Sequence, residues 1–293
     1  MDYPIVQTRT SDGLWLHALH LRAPKSRTVF LNVHGTASNF YEEYFIEVLT
    51  KTLAERQISM LSTNNRGAGV YDAWQKNGAA VEKFADCVFD IDSWIAFALN
   101  KGYEKIILSG HSLGTEKVVY YMNHGMYRDK VTVVVLLAPA TSPGSELYFN
   151  DSKKPNLNKK RVDEKLVYSR TLIEEGNGST FLDRYAYGGI MPKSAESYMD
   201  FSYLNPAFDD ALPFYKKRLS AYAKITVPIL AIIGDQHEYT AIPVKEALDL
   251  MKKENKNTEA VQIMDCDHDF QEKERELSDI LISFLSRNNV CSP

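Results

Sequence analysis

Three residue types that together support acyl-transfer chemistry follow one another along the chain: a serine between glycines, then carboxylates, then a late histidine. The serine is Ser112, in the pentapeptide Gly-His-Ser-Leu-Gly. An apolar run precedes it and a helical pattern follows, so the pattern predicts a sharp strand-to-helix turn that exposes the hydroxyl oxygen. Gly110 and Gly114 lack the side chains that would collide with the neighbouring strand and helix. This context favours a nucleophile over a structural serine in a tight turn.

The general base that such a serine needs is expected late in the chain, after the last strand. His268, in the stretch DCDHDF, is the only one of the seven histidines with that position. His17 and His20 fall on a predicted edge strand, His111 lies inside the pentapeptide and His124 lies on a predicted helix. We expect structural roles for those four.

A third group must accept the Nδ1–H of His268 and stabilise the imidazolium that forms during catalysis. The stretch ILAIIGDQHEYT offers three candidates on the loop after a buried strand. Glu238 lies one position past the expected one and has an extra methylene with which to reach back, whereas Asp235 lies nearer the strand end. His237 occupies the expected position, although a neutral imidazole stabilises a cation much less than a carboxylate does. The sequence leaves this choice open.

The negative oxygen that forms during acyl transfer needs backbone N–H donors. The stretch His34-Gly35-Thr36 follows an earlier apolar strand, and Leu113 begins the helix after the nucleophile. We therefore predict an oxyanion hole made of the N–H groups of Thr36 and Leu113. The ring of His34 is expected to hold this loop through backbone hydrogen bonds.

Apolar, β-branched runs alternate with helical patterns over most of the chain, which predicts a mostly parallel, doubly wound α/β sheet with helices on both faces. Residues 14–21 alternate loosely and are interpreted as an antiparallel edge strand. One helix is predicted from about Phe40 to Arg56, with Ser38 or Asn39 as its cap. A longer amphipathic helix is predicted to carry Val81 to Ala98.

Residues 141–225 break this alternation with a polar, basic start, short helical pieces and many aromatic residues. A structureless loop of that length is implausible in a compact domain. We predict a single domain over residues 1–293 in which residues 141–225 form an inserted cap over the strand ends. Its aromatic residues are expected either to line an acyl pocket or to pack the cap against the core.

The composition excludes several other classes of function. A net charge of −4 gives no electrostatic reason to expect a nucleic acid or an anionic membrane as partner. No apolar run approaches the roughly 18 residues of a membrane span, and the start has no signal-peptide pattern. Three cysteines without paired spacing suit a reducing cytoplasm. No metal-ligand cluster or phosphate-binding glycine loop is evident, so we expect no cofactor and no metal; the oligomeric state is not indicated.

The stretches NVHGTAS, GHSLGTEKVVYY and DCDHDF resemble the α/β-hydrolase superfamily over nearly the whole chain. HSLGTEKVVYY and HEYTAIP are similar to a branch that includes fungal siderophore esterases. The resemblance implies an α/β-hydrolase fold and cleavage of ester or related acyl bonds, with hydroxamate or peptide-like natural products as one substrate class. The chain departs from the superfamily pattern at His237 and at Thr115, where a small glycine often stands and a threonine narrows the space beside the nucleophile.

The leading hypothesis is a serine hydrolase that cleaves a carboxylic ester of a small molecule through an acyl-enzyme on Ser112, with water as acceptor. One alternative is an acyltransferase or peptide-bond tailoring enzyme, in which an amine or alcohol intercepts the acyl group. Another is a non-catalytic ligand-binding protein on a hydrolase scaffold. The departure at His237, on the loop of residues 234–240 that should supply the acid (the acid loop), suggests this alternative.

Overall fold

The fold centres on an eight-stranded sheet, seen in a computed structural model that describes residues 4–148, 155–182 and 191–291. The strand order is β1-β2-β4-β3-β5-β6-β7-β8. The strands are β1 (Ile5–Arg9), β2 (Trp15–Leu21), β3 (Thr28–Val33), β4 (Ile58–Thr63), β5 (Lys105–His111), β6 (Val131–Leu137), β7 (Ile229–Ile233) and β8 (Thr258–Gln262). The fold is therefore the expected α/β-hydrolase type, with a mostly parallel sheet.

All pairings from β4 across to β8 are parallel, and the two pairings that involve β2 are antiparallel. The strands β3, β4 and β7 are buried at every position, as expected for continuous apolar runs covered on both faces. The prediction that residues 14–21 form an edge strand is wrong, since β1 pairs with β2 on its outer side. The residues of β1 are partly exposed and mixed in polarity, so no clear strand pattern marks this segment.

Helices cover both faces of the sheet and carry two apolar clusters. On one face α1 and α9 pack together and contribute Phe45 and Phe284 to the core. On the other face α2, α3 and α8 contribute residues such as Trp94, Val118 and Met251. The helices are α1 (Phe45–Glu55), α2 (Cys87–Asn100), α3 (Leu113–His124), α4 (Ser142–Tyr148), α5 (Pro155–Glu174), α6 (Ala195–Asp200), α7 (Pro206–Asp209), α8 (Val244–Glu254) and α9 (Glu274–Arg287).

Two helices begin later than predicted. Helix α1 starts at Phe45 rather than at about Phe40, and neither Ser38 nor Asn39 caps it. The residues before it form an irregular loop that carries Thr36 and Glu43 to the carboxyl end of the sheet. Helix α2 starts at Cys87, so Val81 precedes the helix.

The connection from β6 to β7 holds four helices, α4 to α7, among its described residues. Leu166, Leu182 and Tyr198 belong to a small apolar cluster of its own. The connection is fastened to the rest of the chain by backbone contacts, such as the N–H of Ser194 on the carbonyl of Ala80 at 2.8 Å. Residues 149–154 and 183–190, including part of the basic and aromatic stretches predicted for a cap, lie outside the described residues. The division into one domain with a cap over 141–225 stays a prediction.

None of the helices in residues 4–148, 155–182 and 191–291 is both long enough and apolar enough to cross a bilayer. Within the same residues, no three His, Cys, Asp or Glu side chains are grouped to hold a metal ion.

Candidate active site

Ser112 lies at the turn between β5 and α3, in the strained conformation expected of an exposed nucleophile. Its backbone angles are φ 53° and ψ −123°, a positive φ that L-residues rarely adopt. A Cβ at Gly110 would lie 2.3 Å from the carbonyl oxygen of Gly114, and a Cβ at Gly114 would lie 2.2 Å from that of Val33. Only glycine fits at these two positions, which explains the spacing of the pentapeptide.

His268 reaches Ser112 from the loop between β8 and α9. Its Nε2 lies 2.8 Å from Ser112 Oγ, a distance at which the hydroxyl donates to the ring nitrogen. The two residues are 156 positions apart in sequence and meet because both lie at the carboxyl ends of parallel strands. The pair has the geometry of a nucleophile and its general base.

Glu238 is the carboxylate that meets the other side of this imidazole. His268 Nδ1–H donates to Glu238 Oε2 at 2.8 Å, while Glu238 Oε1 accepts from the N–H of Gly234 at 3.0 Å. Its side chain is only 2% exposed, so solvent screens the contact weakly. Of the three candidates that the sequence left open, the structure joins Glu238 to His268.

Asp235 and His237 have other places on the same loop. Asp235 Oδ1 accepts the N–H of Cys266 at 3.0 Å, which ties the loop after β7 to the loop that carries His268. That hydrogen bond also lowers the pKa of Asp235 below its ordinary value. His237 is exposed and has a φ of 57°, which turns the chain so that Glu238 points inward.

Thr36 and Leu113, the residues predicted to donate N–H groups to the oxyanion, both lie near the nucleophile. Gly35 lies so close that a Cβ there would be 2.9 Å from Ser112 Cβ, and Thr36 lines the cavity in front of the serine. Leu113 is the first residue of α3, where backbone N–H groups have no intrahelical partner. Within the described residues, neither N–H donates to a protein acceptor. Both groups are free to bind an anionic oxygen.

His34 and Thr115 hold the backbone around the serine. His34 Nδ1–H donates to the carbonyl of Gly35 at 2.7 Å, and its Nε2 accepts the N–H of Asn65. Burial lowers the pKa of His34 to about 4, so the ring is neutral, in line with the structural role expected from the sequence. The Thr115 hydroxyl donates to the carbonyl of Ser112 at 2.6 Å and so fixes the turn from the helix side.

Sequence reasoning missed one polar group near Ser112, His268 and Glu238. Glu43 is buried and contacts His111, whose ring lies next to that of His268 with 5.2 Å between centroids. The only sequence signal for His111 was its place inside the pentapeptide. Glu43 gave no signal for two reasons. It falls inside the helix predicted from about Phe40, although α1 begins only at Phe45, and its partner His111 is 68 positions away.

A cavity of about 640 Å³ opens onto these groups, a size typical of small-molecule sites. Ser112, His268 and Thr36 are among the residues that line this cavity. Residues of the β6–β7 connection, among them Ser142 and Met191, also line it. The arrangement can bind a small acyl compound with its carbonyl group against the serine.

Comparisons with solved structures show the same fold at low sequence identity. Est1E from Butyrivibrio proteoclasticus is 18% identical, with a TM-score of 0.66 over 98% of this chain and 99% of that one. DcsB, solved in complex with its substrate analogue, is 13% identical, with a TM-score of 0.71 over 98% and 99%. A soluble variant of monoglyceride lipase from Saccharomyces cerevisiae is 13% identical, with a TM-score of 0.64 over 98% and 96%.

The sequence comparisons give a family but no close relative. No curated protein sequence matches the chain significantly. The hydrolase family described as serine aminopeptidase, S33, matches residues 24–268, which include both the pentapeptide and His268. The chain belongs to this family of α/β hydrolases and is a hydrolase.

Proposed function

We propose that the protein is a serine hydrolase that cleaves carboxylic esters through an acyl-enzyme on Ser112. The observation that carries the proposal is an unbroken chain of hydrogen bonds, each 2.8 Å long, from Glu238 through His268 to Ser112. The chain ends at a cavity large enough for a small acyl substrate. Ester-cleaving relatives of the same fold, such as the yeast monoglyceride lipase, support an ester over other acyl bonds.

In the first half of the reaction, Ser112 Oγ attacks the ester carbonyl carbon while its proton passes to His268 Nε2. The ionised Glu238 stabilises the resulting imidazolium through Nδ1–H. The N–H groups of Thr36 and Leu113 bind the oxyanion of the tetrahedral intermediate. When the intermediate collapses, the ester C–O bond breaks and the departing alkoxide takes the proton from His268.

In the second half, water replaces the alcohol. His268 takes a proton from the water, whose oxygen attacks the acyl carbon and forms a second tetrahedral intermediate. The bond to Ser112 Oγ then breaks, the serine oxygen recovers its proton from His268, and the carboxylic acid leaves. Both halves use the same base and the same oxyanion donors.

The β6–β7 connection acts in this proposal as the cap predicted from the sequence over residues 141–225. Its residues Ser142, Ser145 and Met191 face the cavity together with Ser112. The cap therefore selects the substrate, while the loops of the core carry out the reaction. The resemblance to siderophore esterases suggests a hydroxamate or peptide-like ester as a substrate class to examine.

Different observations bear on the two alternatives, a non-catalytic binding protein and an acyltransferase or peptide-bond tailoring enzyme. The hypothesis of a non-catalytic binding protein rested on the histidine at the usual acid position, and the contact between Glu238 and His268 supplies a carboxylate from the next position on the same loop. Acyl transfer would use the same acyl-enzyme. Product analysis in the presence of an added amine or alcohol distinguishes transfer from hydrolysis.

The test is turnover of a series of p-nitrophenyl esters of increasing acyl length. We expect the wild-type protein to hydrolyse at least the short members and Ser112→Ala to lose about 10⁴-fold or more in kcat. Ser283→Ala, at an exposed serine of α9, is the matched control and should keep full activity. Equal turnover by the Ser112→Ala variant would refute the proposal.

A further inference from the structure

The ring of His111, inside the pentapeptide, has both of its nitrogens in contact with acceptors. Nδ1 lies 3.1 Å from Glu43 Oε1, and Nε2 lies 2.9 Å from the main-chain carbonyl oxygen of His268. A carbonyl oxygen accepts and never donates, so Nε2 carries a hydrogen. If the carboxylate is ionised, Nδ1 carries one as well and the ring is an imidazolium.

The surroundings of Glu43 favour the ionised form. Its second oxygen, Oε2, accepts from Asn32 Nδ2 at 2.7 Å, so both carboxylate oxygens face donors. Burial opposes ionisation, but the charge and the hydrogen bond of His111 outweigh it and lower the pKa of Glu43 below its ordinary value. Burial likewise opposes the charge of His111. The charge and the hydrogen bond of Glu43 lead the contacts that outweigh this effect of burial and raise the pKa of His111 to about 9. The proton therefore resides on the imidazole at neutral pH.

Other groups around the ring do not replace this partnership. Asp269 Oδ1 lies 3.8 Å from Nε2, beyond hydrogen-bond distance, and its side chain is 58% exposed. The rings of Phe45 and Phe270 pack edge-on or tilted against the imidazole. The remaining titratable neighbour is the ring of His268 itself.

The carbonyl that His111 binds belongs to the residue whose side chain takes the proton from Ser112. His268 lies on an irregular loop between β8 and α9, where regular backbone hydrogen bonds do not fix its position. Glu238 holds the imidazole through Nδ1, and His111 holds the backbone of the same residue through its carbonyl. Two anchors on one residue determine the direction in which Nε2 points.

We propose that His111 is a positioning residue for the reaction, a buried imidazolium that is held by Glu43 and fixes the main chain of the general base. The proposal rests on the proposed function, since it concerns the base of that reaction. Its ring borders the cavity, but both of its nitrogens are engaged by Glu43 and by the His268 carbonyl, so His111 acts through His268. A displacement of about 1 Å at a catalytic base can cost about 100-fold in rate, which sets the scale of the expected effect.

The chain offers a matched pair of substitutions that separates positioning from space filling. In His111→Gln, the side-chain amide can occupy the place of Nε2–H and donate to the carbonyl of His268. In His111→Asn, the shorter amide can reach Glu43 but not that carbonyl. Both variants are neutral and both leave the Glu43 carboxylate without its cation, so a purely structural role gives the Gln variant no advantage over the Asn variant.

We expect kcat for p-nitrophenyl esters to fall by about 10- to 100-fold in His111→Asn and by about threefold in His111→Gln, with KM unchanged in both. His124→Gln, at an exposed histidine at the carboxyl end of α3, is the control and should match the wild type. Equal kcat values for the Asn and Gln variants would overturn the proposal. If either variant fails to fold, the same pair is compared in a Glu43→Gln background, which removes the buried carboxylate.

A spectroscopic measurement on the unmodified protein tests the protonation state independently. Nitrogen-15 NMR of the histidine side chains should show one buried ring with hydrogens on both nitrogens at pH 7.5, and that signal should be missing in His111→Gln. A singly protonated ring at His111 would overturn the proposal. Wild-type ester turnover reports on the proposed function, whereas the ratio of the two variants reports on positioning, so the two can fail separately.

Discussion

Two glutamate–histidine pairs lie side by side at the carboxyl end of the sheet, and they differ in what the second ring nitrogen meets. His268 Nδ1 contacts Glu238 and its Nε2 contacts the hydroxyl of Ser112. His111 Nδ1 contacts Glu43 and its Nε2 contacts a main-chain carbonyl. A hydroxyl can give up its proton to the ring, whereas a carbonyl oxygen has no proton to give and only accepts a hydrogen bond.

In the proposed mechanism, the same two residue types move a proton in one pair and hold one in the other. The side chains are similarly buried, with 13% and 2% exposed in the pair of His268 and Glu238, and 5% and 4% in the pair of His111 and Glu43. Burial therefore does not distinguish the two pairs. The group that meets Nε2 does distinguish them. It is a serine hydroxyl for His268, on the loop after β8, and a main-chain carbonyl for His111, the last residue of β5.

Removal of the two histidines should give the largest contrast. His268→Ala removes the group that takes the proton, so we expect kcat to fall by about 10⁴-fold or more. His111→Ala removes only an anchor of that group, so a fall of about 10- to 100-fold is expected. Ester turnover at saturating substrate, with folding checked by circular dichroism, measures both. Losses of the same size would abolish the distinction between the pairs.

The carboxylates of the acid loop give the next contrast. Glu238→Gln keeps the shape of the side chain but cannot stabilise the imidazolium, so kcat should fall by about 10³- to 10⁴-fold. Asp235→Asn is the matched control on the same loop, where we expect a loss below about tenfold because Asp235 bonds only to backbone. The kcat of each variant is measured on one p-nitrophenyl ester. A larger loss in Asp235→Asn would mean that the acid is misassigned.

The pH dependence of stability separates the pairs in another way. The folded pKa of His111, about 9, lies above the unfolded value of about 6.5, so its stabilising contribution is complete below pH 6.5 and is lost as the pH rises through 9. The melting temperature of the wild type should therefore fall relative to that of the Glu43→Gln/His111→Gln double variant between pH 6.5 and 10, by roughly 2–6 °C. Thermal melts of both proteins at matched pH values measure this difference. A constant difference would contradict the charged state of His111.

The smallest effect is expected at the histidine that occupies the usual acid position. His237 is exposed and asparagine also adopts a positive φ readily, so His237→Asn should leave kcat within about twofold of the wild type and the melting temperature nearly unchanged. Kinetics and a thermal melt of this one variant suffice. A large loss of activity would show that the acid loop does more than carry Glu238.

The core of the fold and the ends of the triad were predictable because their signals are local. Buried parallel strands are continuous apolar runs, as in β6, and the strained turn at Ser112 requires glycines at fixed spacing. The edge strand β1 was missed because its residues are half exposed and mixed in polarity. Helix α1 was predicted to start at about Phe40 but starts at Phe45, because the residues between them form a loop although their types also suit a helix.

The choice of acid and the second pair depend on contacts that no local pattern shows. Glu238 reaches His268 because the chain turns at His237 with a positive φ, a conformation that histidine adopts more readily than most residues. Glu43 meets Asn32 and His111 from separate elements, over 11 and 68 positions of sequence. Such contacts become visible only once the strand order is known.

The most direct test of the account is covalent labelling of the nucleophile. A fluorophosphonate probe reacts with a serine whose hydroxyl is activated by a neighbouring base. We predict that the wild-type protein is labelled in a one-to-one ratio, that mass mapping places the label on Ser112, and that His268→Ala is not labelled in the same time. Labelling at another residue, or equal labelling of Ser112 in both proteins, would contradict the account.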